Sequence, residues 1–513
     1  MNTLKLTLLL TLLMVIGGCK EGKEEETNKT LLKRPNVVII YADDMGYGDL
    51  NYQNSGSKIP TPYLDQLTKE GMRFTDAHSA STVCSPSRYS LLTGRYHWRG
   101  HLKRGIVRPW GDPAIEEGRE TIASVLKQKG YQTAAIGKWH LGMMYPFKEG
   151  LGQKDPNKTG WRDGESKTYL PEDFNWEQPV KRGPTSVGFD YYFGDGTINF
   201  PPYMWMENDR FLGNPTTMLN NEGKLTAEGS WECRPGPAMA DWDIPEVPIK
   251  LTESAVDWIS KQNKDMPFFL YFSMPSPHAP VVPAKQFKGK SNAGGYGDYV
   301  VQTDWMVGQI LEALKAKGLE DNTMVVFTSD NGPEVYAYDR IRNHDHYSMG
   351  DWRGVKRDLW EGGHRVPFIV KYPGIVPGNS VNNNLVSQVD IMATVSDIVG
   401  YELPKNAAED SRSFSNGLDP NDKTAGRETI IYHAVNGKFA IRKGDWVLIE
   451  HHSGSVSKEP EWIKEPGDKV SNDTPLVLYN IREDPQEQNN LYNKFPNKVN
   501  ELKQRLDDMK KKS

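Results

Sequence analysis

The chain has 513 residues, 37% of them hydrophobic and 25% charged, with a formal net charge of −5. That length buries a large core and implies more than one domain or subdomain; the small net charge identifies no charged partner and argues against a nucleic-acid binder. Three cysteines, Cys19, Cys84 and Cys233, are too few for a disulfide framework, so each needs its own reading.

In chain order, Lys5 is followed by an almost unbroken apolar run from Leu6 to Ile16, then Gly17-Gly18-Cys19. The run is a secretory h-region, too short to span a bilayer comfortably. Ile16-Gly17-Gly18-Cys19 resembles a bacterial lipobox. The resemblance implies that residues 1–18 are removed and that Cys19 is lipidated, which predicts export and a membrane anchor at the outer membrane, facing the periplasm or the cell surface. A plain signal peptide is the alternative. Residues 20–32 are charged and poor in apolar side chains, so they read as a disordered tether.

Four short apolar runs follow, and each ends in polar, reactive residues. Asn36 to Ala42 leads into Asp43-Asp44, and Thr133 to Gly137 into Lys138-Trp139-His140. Phe268 to Phe272 ends in Ser276-Pro277-His278, and Thr323 to Thr328 in Ser329-Asp330-Asn331-Gly332. Such runs predict strands buried on both faces. Helical patterns cover Tyr63 to Glu70, Thr121 to Lys129, Leu251 to Gln262 and Tyr299 to Lys317. The alternation predicts an α/β domain with a mostly parallel sheet flanked by helices. Sites in such sheets form beyond the carboxyl ends of the strands, where all four polar clusters fall. The domain closes, over residues 33–404, with a helix from Gln388 to Val395. A smaller subdomain, 405–513, begins with a polar loop. Glu428 to His433, Lys438 to Arg442, Trp446 to Glu450 and Leu476 to Asn480 then read as an antiparallel sheet, and Lys498 to Lys511 as a terminal helix.

Asp43, Asp44, Asp330 and Asn331 offer only oxygen, which suits calcium or magnesium rather than zinc. Between Cys84 and Gly94, Pro86 fits the first turn of a helix and Gly94 its C-terminal cap. Cys84 then sits just before a helix N-terminus, where partial positive charge favours an anion. Three readings of Cys84 stand: an acidified thiol, a modified nucleophile, or a structural thiol, free or bridged to Cys233.

Cys84-Ser85-Pro86-Ser87-Arg88, followed by Leu91-Leu92-Thr93-Gly94-Arg95, resembles the C-x-P-x-R modification signature of type I sulfatases. The other clusters follow in that family's order, and the resemblance runs from Lys33 to the C-terminus. It implies an alkaline-phosphatase-like sandwich and oxidation of Cys84 to formylglycine by a maturation enzyme. It also implies one calcium ion held by Asp43, Asp44, Asp330, Asn331 and the modified Cys84. Arg88 and Lys138 would hold the formylglycine hydrate, His140 would act as the base that releases sulfate, His278 would assist the leaving group, and Lys356 would bind the sulfate.

Relatives that cleave phosphate or phosphonate esters commonly carry histidine where this chain has Asn331. A formylglycine-dependent phosphonate or phosphodiester hydrolase is therefore the second enzyme reading, and a glycan-capturing surface lipoprotein with a degenerate site the non-enzymatic one. The leading expectation is hydrolysis of sulfate esters on a sulfated carbohydrate, with ulvan, carrageenan and animal glycosaminoglycans as candidates. Arg95, His344 and His346 are expected substrate contacts. Arg99, Lys103, Arg104 and Arg108 extend a run without acidic residues that could line the approach of a polyanion. Trp161, Trp176, Trp205 and Trp231 offer flat faces for sugars.

Overall fold

The strands Asn36–Ala42, Phe268–Ser273 and Thr323–Ser329 are buried at every residue, as continuous apolar runs require when both faces of a sheet are covered. This is seen in a computed structural model that describes residues 34–151, 169–220, 228–229, 232–420, 422, 426–463 and 474–511. Cys19, the tether, Trp161 and Trp231 lie outside the described residues.

The three strands form the centre of a ten-stranded sheet. In order across the sheet, its strands are Ser380–Asn382, Met72–Phe74, Phe368–Lys371, Thr323–Ser329, Asn36–Ala42, Phe268–Ser273, Gln132–Lys138, Tyr191–Gly196, Met206–Glu207 and Arg210–Phe211. Pairing is parallel from Thr323–Ser329 to Tyr191–Gly196. Phe368–Lys371 runs antiparallel to both of its neighbours, so the sheet is mixed. The period of two sends alternate residues to opposite faces. Val38, Ile40 and Ala42 share a core with Leu64, Leu251, Ile259, Val300 and Ile310 from the helices Pro62–Glu70, Val247–Ser260 and Gly294–Ala316. On the other face the Tyr41 hydroxyl donates to Gln388 Oε1 at 2.6 Å. The helices Cys84–Thr93, Ile122–Gln128 and Ile391–Ile398 pack against one another.

The expected helices are all present, with shifted ends. Gly294–Ala316 begins five residues before the expected Tyr299, because its first turn carries glycines that no apolar period marks. Ile122–Gln128 is capped by Thr121, whose Oγ1 accepts from the Ser124 amide at 3.1 Å. Among the described residues no helix is long and apolar enough to cross a membrane.

The second sheet is an antiparallel meander of Thr429–His433, Phe439–Lys443, Trp446–Ile449 and Val477–Asn480. One face packs Ile430, Tyr432, Val447 and Ile449 with Trp360. The other packs Ile431, Ile441 and Leu448 against Val499, Leu502 and Leu506 of the helix Pro496–Lys511, and against Tyr96.

Candidate active site

Strand register brings the site together. Ala42 pairs with Ser329, Tyr41 with Ser273, and Ser273 with Gly137, so four neighbouring strands end at one level. Asp43-Asp44, Lys138 and Asp330-Asn331 leave the sheet side by side. The Asp330 amide donates to Ala42 O at 3.1 Å, and the Asp44 amide to Asp330 Oδ1 at 3.1 Å. Asp44 has a φ of +62°, a left-handed conformation that aspartate tolerates at a site where the surroundings enforce it.

Gly137 sets the aim of Lys138. A Cβ there would lie 2.0 Å from Ser273 O, and its φ is +112°. The pairing with Tyr191–Gly196 shifts register between Ile136 and Lys138, a bulge that redirects the strand end. The Lys138 ammonium, fully buried, contacts Asp43 Oδ2. His140 has a φ of +50°, so the chain is no longer extended there. The turn after the bulge, rather than an extended backbone, therefore sets where His140 lies relative to Lys138.

Cys84 is the first residue of its helix, which starts one position earlier than expected, and Gly94 caps that helix with a φ of +62°. Arg88 on this helix is fully buried. Its Nη2 donates to Asp330 Oδ2 at 2.8 Å and lies 3.6 Å from Asp43 Oδ2, and its Nη1 donates to Ser273 Oγ. Lys356 Nζ lies 2.7 Å and 2.8 Å from the two oxygens of Asp44. Each carboxylate of the cluster thus meets a fixed cation.

The electrostatics follow from burial. Burial raises the Asp330 carboxyl to about 7, helped by Asp43 and opposed by Arg88. Burial also raises Asp44, but Lys356 and His278 overcome it and hold the carboxyl below its usual range. The Cys84 thiol is pushed up by burial, against the pull of Lys138 and Lys356. The acidified-thiol expectation therefore fails: burial of the side chain outweighs the helix end. Cys84 and Cys233 form no disulfide, so that expectation fails too. Cys233 Sγ instead lies 3.3 Å from the Tyr203 hydroxyl.

Two histidines face the same cavity. Burial and the charges of Lys138 and Arg88 hold His140 well below its usual value. Its Nε2 lies 2.9 Å from Val107 O and must donate, which leaves Nδ1, buried and without a hydrogen-bond partner, as a basic lone pair. His278 Nδ1 contacts Ala279 O, and its Nε2 lies 3.7 Å from Asp44 Oδ2. Burial and Lys356 lower this imidazole to about 3. It is neutral at rest, and a negative charge arriving beside it would favour its protonated form.

The cavity has a volume of about 430 Å³; its lining includes Cys84, His140, His278 and Lys356. Asn199, Arg108, Glu232, Arg234, Glu334 and Arg357, also in its lining, were not anticipated as a group. Glu232 Oε2 lies 4.0 Å from His278 Nε2, and burial with Glu334 raises its carboxyl to about 7. Arg357 grips Glu334 through two contacts of 2.5 and 2.6 Å. These residues fall in loops with no motif spacing; the one available signal was their position after strands or beside Lys356.

The donor set fits a hard cation. Asp43, Asp44, Asp330 and Asn331 are buried and offer oxygen, and Asp43 Oδ1 and Asn331 Oδ1 have no hydrogen-bond partner. The Asn331 amide nitrogen donates to Asp44 Oδ1 at 2.7 Å and to Gly332 O at 2.9 Å, which fixes Oδ1 as the remaining acceptor.

Three expected substrate contacts lie elsewhere. Arg95 pairs with Glu116 at 2.9 Å and Glu409 at 3.3 Å, because the acids it needs come from loops distant in sequence. His346 is fully buried, with Nε2 2.8 Å from Asp49 Oδ1, and supports the loop after Asp44 from behind. His344 ends the helix Ala337–His344 and lies over Gly294 rather than in the cavity. Of the basic run, Arg108 lines the cavity, while Arg99 is bound to Asp410 at 2.7 Å. Trp176 packs on Phe174, and Trp205 on Phe193 and Trp242, so neither is a free sugar platform.

Comparison with known proteins agrees with this geometry. A family model described as Sulfatase matches residues 35–401, and one described as N-sulphoglucosamine sulphohydrolase, C-terminal, matches residues 350–512. An N-acetylgalactosamine-6-O-sulfatase of Bacteroides thetaiotaomicron is 33% identical over 99% of each chain. Human arylsulfatase A is 31% identical over 89% of this chain and 83% of its own. A solved structure from work on the metabolism of multiple glycosaminoglycans by Bacteroides thetaiotaomicron superposes with a TM-score of 0.76 at 32% identity, covering 93% of this chain and 99% of that one.

Proposed function

Since the chain belongs to the sulfatase family and is a hydrolase of sulfate esters, we propose that it removes sulfate from a sulfated carbohydrate, with 6-O-sulfated N-acetylgalactosamine in a glycosaminoglycan as the substrate unit. The observation that carries the reaction class is the buried convergence of Cys84, three fixed cations and four oxygen donors at one end of the sheet. The sugar rests on the name of the relative that matches along its whole length. Ulvan and carrageenan, equally open in the sequence, have no such support.

The division of labour follows from the geometry. Asp43, Asp44, Asp330 and Asn331 would hold calcium, which supplies a Lewis acid for the sulfate oxygens. Formylglycine at position 84 supplies a hydroxyl nucleophile. Arg88 and Lys138 fix the acidic wall and the nucleophile against it. Lys356 receives the sulfate and stabilises charge building on the leaving oxygen without reorganising. His140, with Nδ1 unprotonated, takes the proton whose removal frees the sulfate. His278 takes up its proton with the anionic ester and delivers it from Nε2 to the sugar oxygen. Glu232, beside His278, would receive a hydroxyl of the same sugar. Asn331 argues against the phosphonate or phosphodiester reading, and the complete donor and cation set argues against a degenerate lipoprotein.

Residues 1–19 are proposed as a lipoprotein signal ending at lipidated Cys19, followed by a tether over 20–32; 33–404 would be the catalytic domain and 405–513 the subdomain. Several lipid chains would anchor the enzyme stably. Cys19→Ala should yield a soluble, active enzyme or block processing; wild-type protein with a different mature N-terminus, free of membranes, would refute the anchor.

A panel of defined sulfated saccharides tests the function. Free sulfate should appear fastest from 6-O-sulfated N-acetylgalactosamine. Release from an algal oligosaccharide alone would overturn the substrate, and release from none would overturn the carbohydrate reading.

A further inference from the structure

Beside the catalytic cavity lies a second one of about 380 Å³, whose lining includes Tyr338, Tyr347, Trp352, Trp462, Gln486 and Gln488. Tyr347 and Trp462 are 45% and 47% exposed, and among the described residues they are the large aromatic side chains left most open to water. They come from distant segments and meet at one cavity. Exposed aromatic faces beside amide side chains are how proteins hold sugar rings: the ring stacks its C–H face and the amides take its hydroxyls. Trp352 is held in place by the Arg365 guanidinium, 3.8 Å over its ring. Arg353 is bound to Glu459 by contacts of 2.7 and 3.0 Å, so the charges of this lining cancel. That suits a hydroxyl-rich ring and leaves no cation set for a sulfate, unlike the first cavity.

The two cavities share their walls. Lys458 lines the first and Glu459 the second; Lys356 lines the first and Gly354 the second; Val335 lines the first and Tyr338 the second. These pairs are one to three positions apart along the chain, and consecutive Cα atoms lie about 3.8 Å apart, so the same segments border both cavities. A glycan seated with its sulfate at Lys356 would follow those segments toward Trp462.

We propose that the second cavity is a subsite for a further sugar of the same glycan chain, held by stacking on Trp462 and Tyr347 and by hydrogen bonds to Gln486 and Gln488. The inference rests on the carbohydrate reading above. It makes the enzyme prefer an oligosaccharide over a single sugar.

The test compares a sulfated monosaccharide, N-acetylgalactosamine 6-sulfate, with a hexasaccharide containing the same unit, using the mature full-length enzyme. The wild type should show a higher kcat/KM on the hexasaccharide. Trp462→Ala and Tyr347→Ala should lower that value about three- to tenfold, mostly through KM, and leave the monosaccharide rate unchanged; Trp462→Phe should keep most of the gain. Equal wild-type rates on both substrates, or equal losses on both in the variants, would overturn the subsite and leave the sulfatase reading standing. If the wild type releases sulfate from neither, the substrate assignment has failed instead, and calorimetry with the unsulfated hexasaccharide decides the cavity: binding that Trp462→Ala abolishes supports it, and no binding overturns it.

Discussion

Two buried charged clusters stand at opposite ends of the same kind of argument. In one, Asp43, Asp44 and Asp330 face Arg88, Lys138 and Lys356. In the other, Asp76 and Glu361 face Arg365 and Arg442, with His78 and His364 between them, Nδ1 to Nδ1 at 3.0 Å. Both hold equal numbers of carboxylates and fixed cations, largely buried, and both bring metal-type ligands together. The second is a joint. Arg442, from the small sheet, holds Asp76 through two bonds of 2.6 and 2.7 Å, geometry that only a guanidinium supplies. Burial would raise Glu361, but Arg365, His78 and Arg442 hold it down to about 2, and burial keeps His364 neutral, at about 3. None of its members lines the cavity that holds Cys84. Lys356 of the first cluster lines that cavity, two of its three cations are lysines, and Asp43 Oδ1 and the neighbouring Asn331 Oδ1 lack hydrogen-bond partners, as Glu361 Oε1 does in the second. The second cluster is paired off in forks away from that cavity; the cluster proposed for catalysis is the one that reaches it beside Cys84.

The comparison breaks most visibly through opposite substitutions. Cys84→Ala should lower kcat by at least about 10⁴-fold while thermal unfolding stays within a few degrees of wild type. Arg442→Ala removes the two-bond grip on Asp76, which keeps Arg365 and His78, and should cost about 1.5–3 kcal/mol of stability, with sulfate release per folded molecule retained. Loss of activity without loss of stability in Arg442→Ala would erase the distinction.

Metal removal sharpens it. Chelation should abolish activity and lower the melting temperature, and calcium at about 100 times its dissociation constant should restore about 2.7 kcal/mol. Asp330→Ala should no longer respond to calcium. Stoichiometric zinc and no calcium in active enzyme would assign the ion to nitrogen ligands and point back at His78 and His364.

Smaller effects separate the histidines. His278→Ala should slow sugar sulfates by about 10²–10⁴-fold and activated aryl sulfates much less, because protonation matters most for a basic leaving oxygen. His140→Ala should slow both classes alike by retarding sulfate release. Equal losses for both substrates in His278→Ala would contradict its role. Smallest of all, Arg95→Ala should change kcat/KM by less than about twofold, since its partners are Glu116 and Glu409 and it does not line the cavity.

Much of this was legible in the sequence. The buried strands announce themselves as apolar runs, and the polar residues just after them had to share one edge once the strands were parallel. Register, set by pairs such as Ala42 with Ser329, then did the rest. What stayed hidden depends on partners far along the chain. Arg95 resembled a substrate contact until Glu409 closed on it, and His346 until Asp49 did. Glu232 and Arg357 reach the cavity on loops, where neither period nor motif marks a side chain's direction. Burial also overrode the helix end at Cys84, raising the thiol where the local rule lowers it.

The proposed chemistry turns on position 84. Preparations made with graded amounts of a maturation enzyme can be digested and the peptide spanning Cys84 weighed, giving the fraction converted to formylglycine. Specific activity in sulfate release should rise in proportion to that fraction and extrapolate to zero for the unmodified thiol. Full activity in a preparation whose peptide carries only cysteine would contradict it.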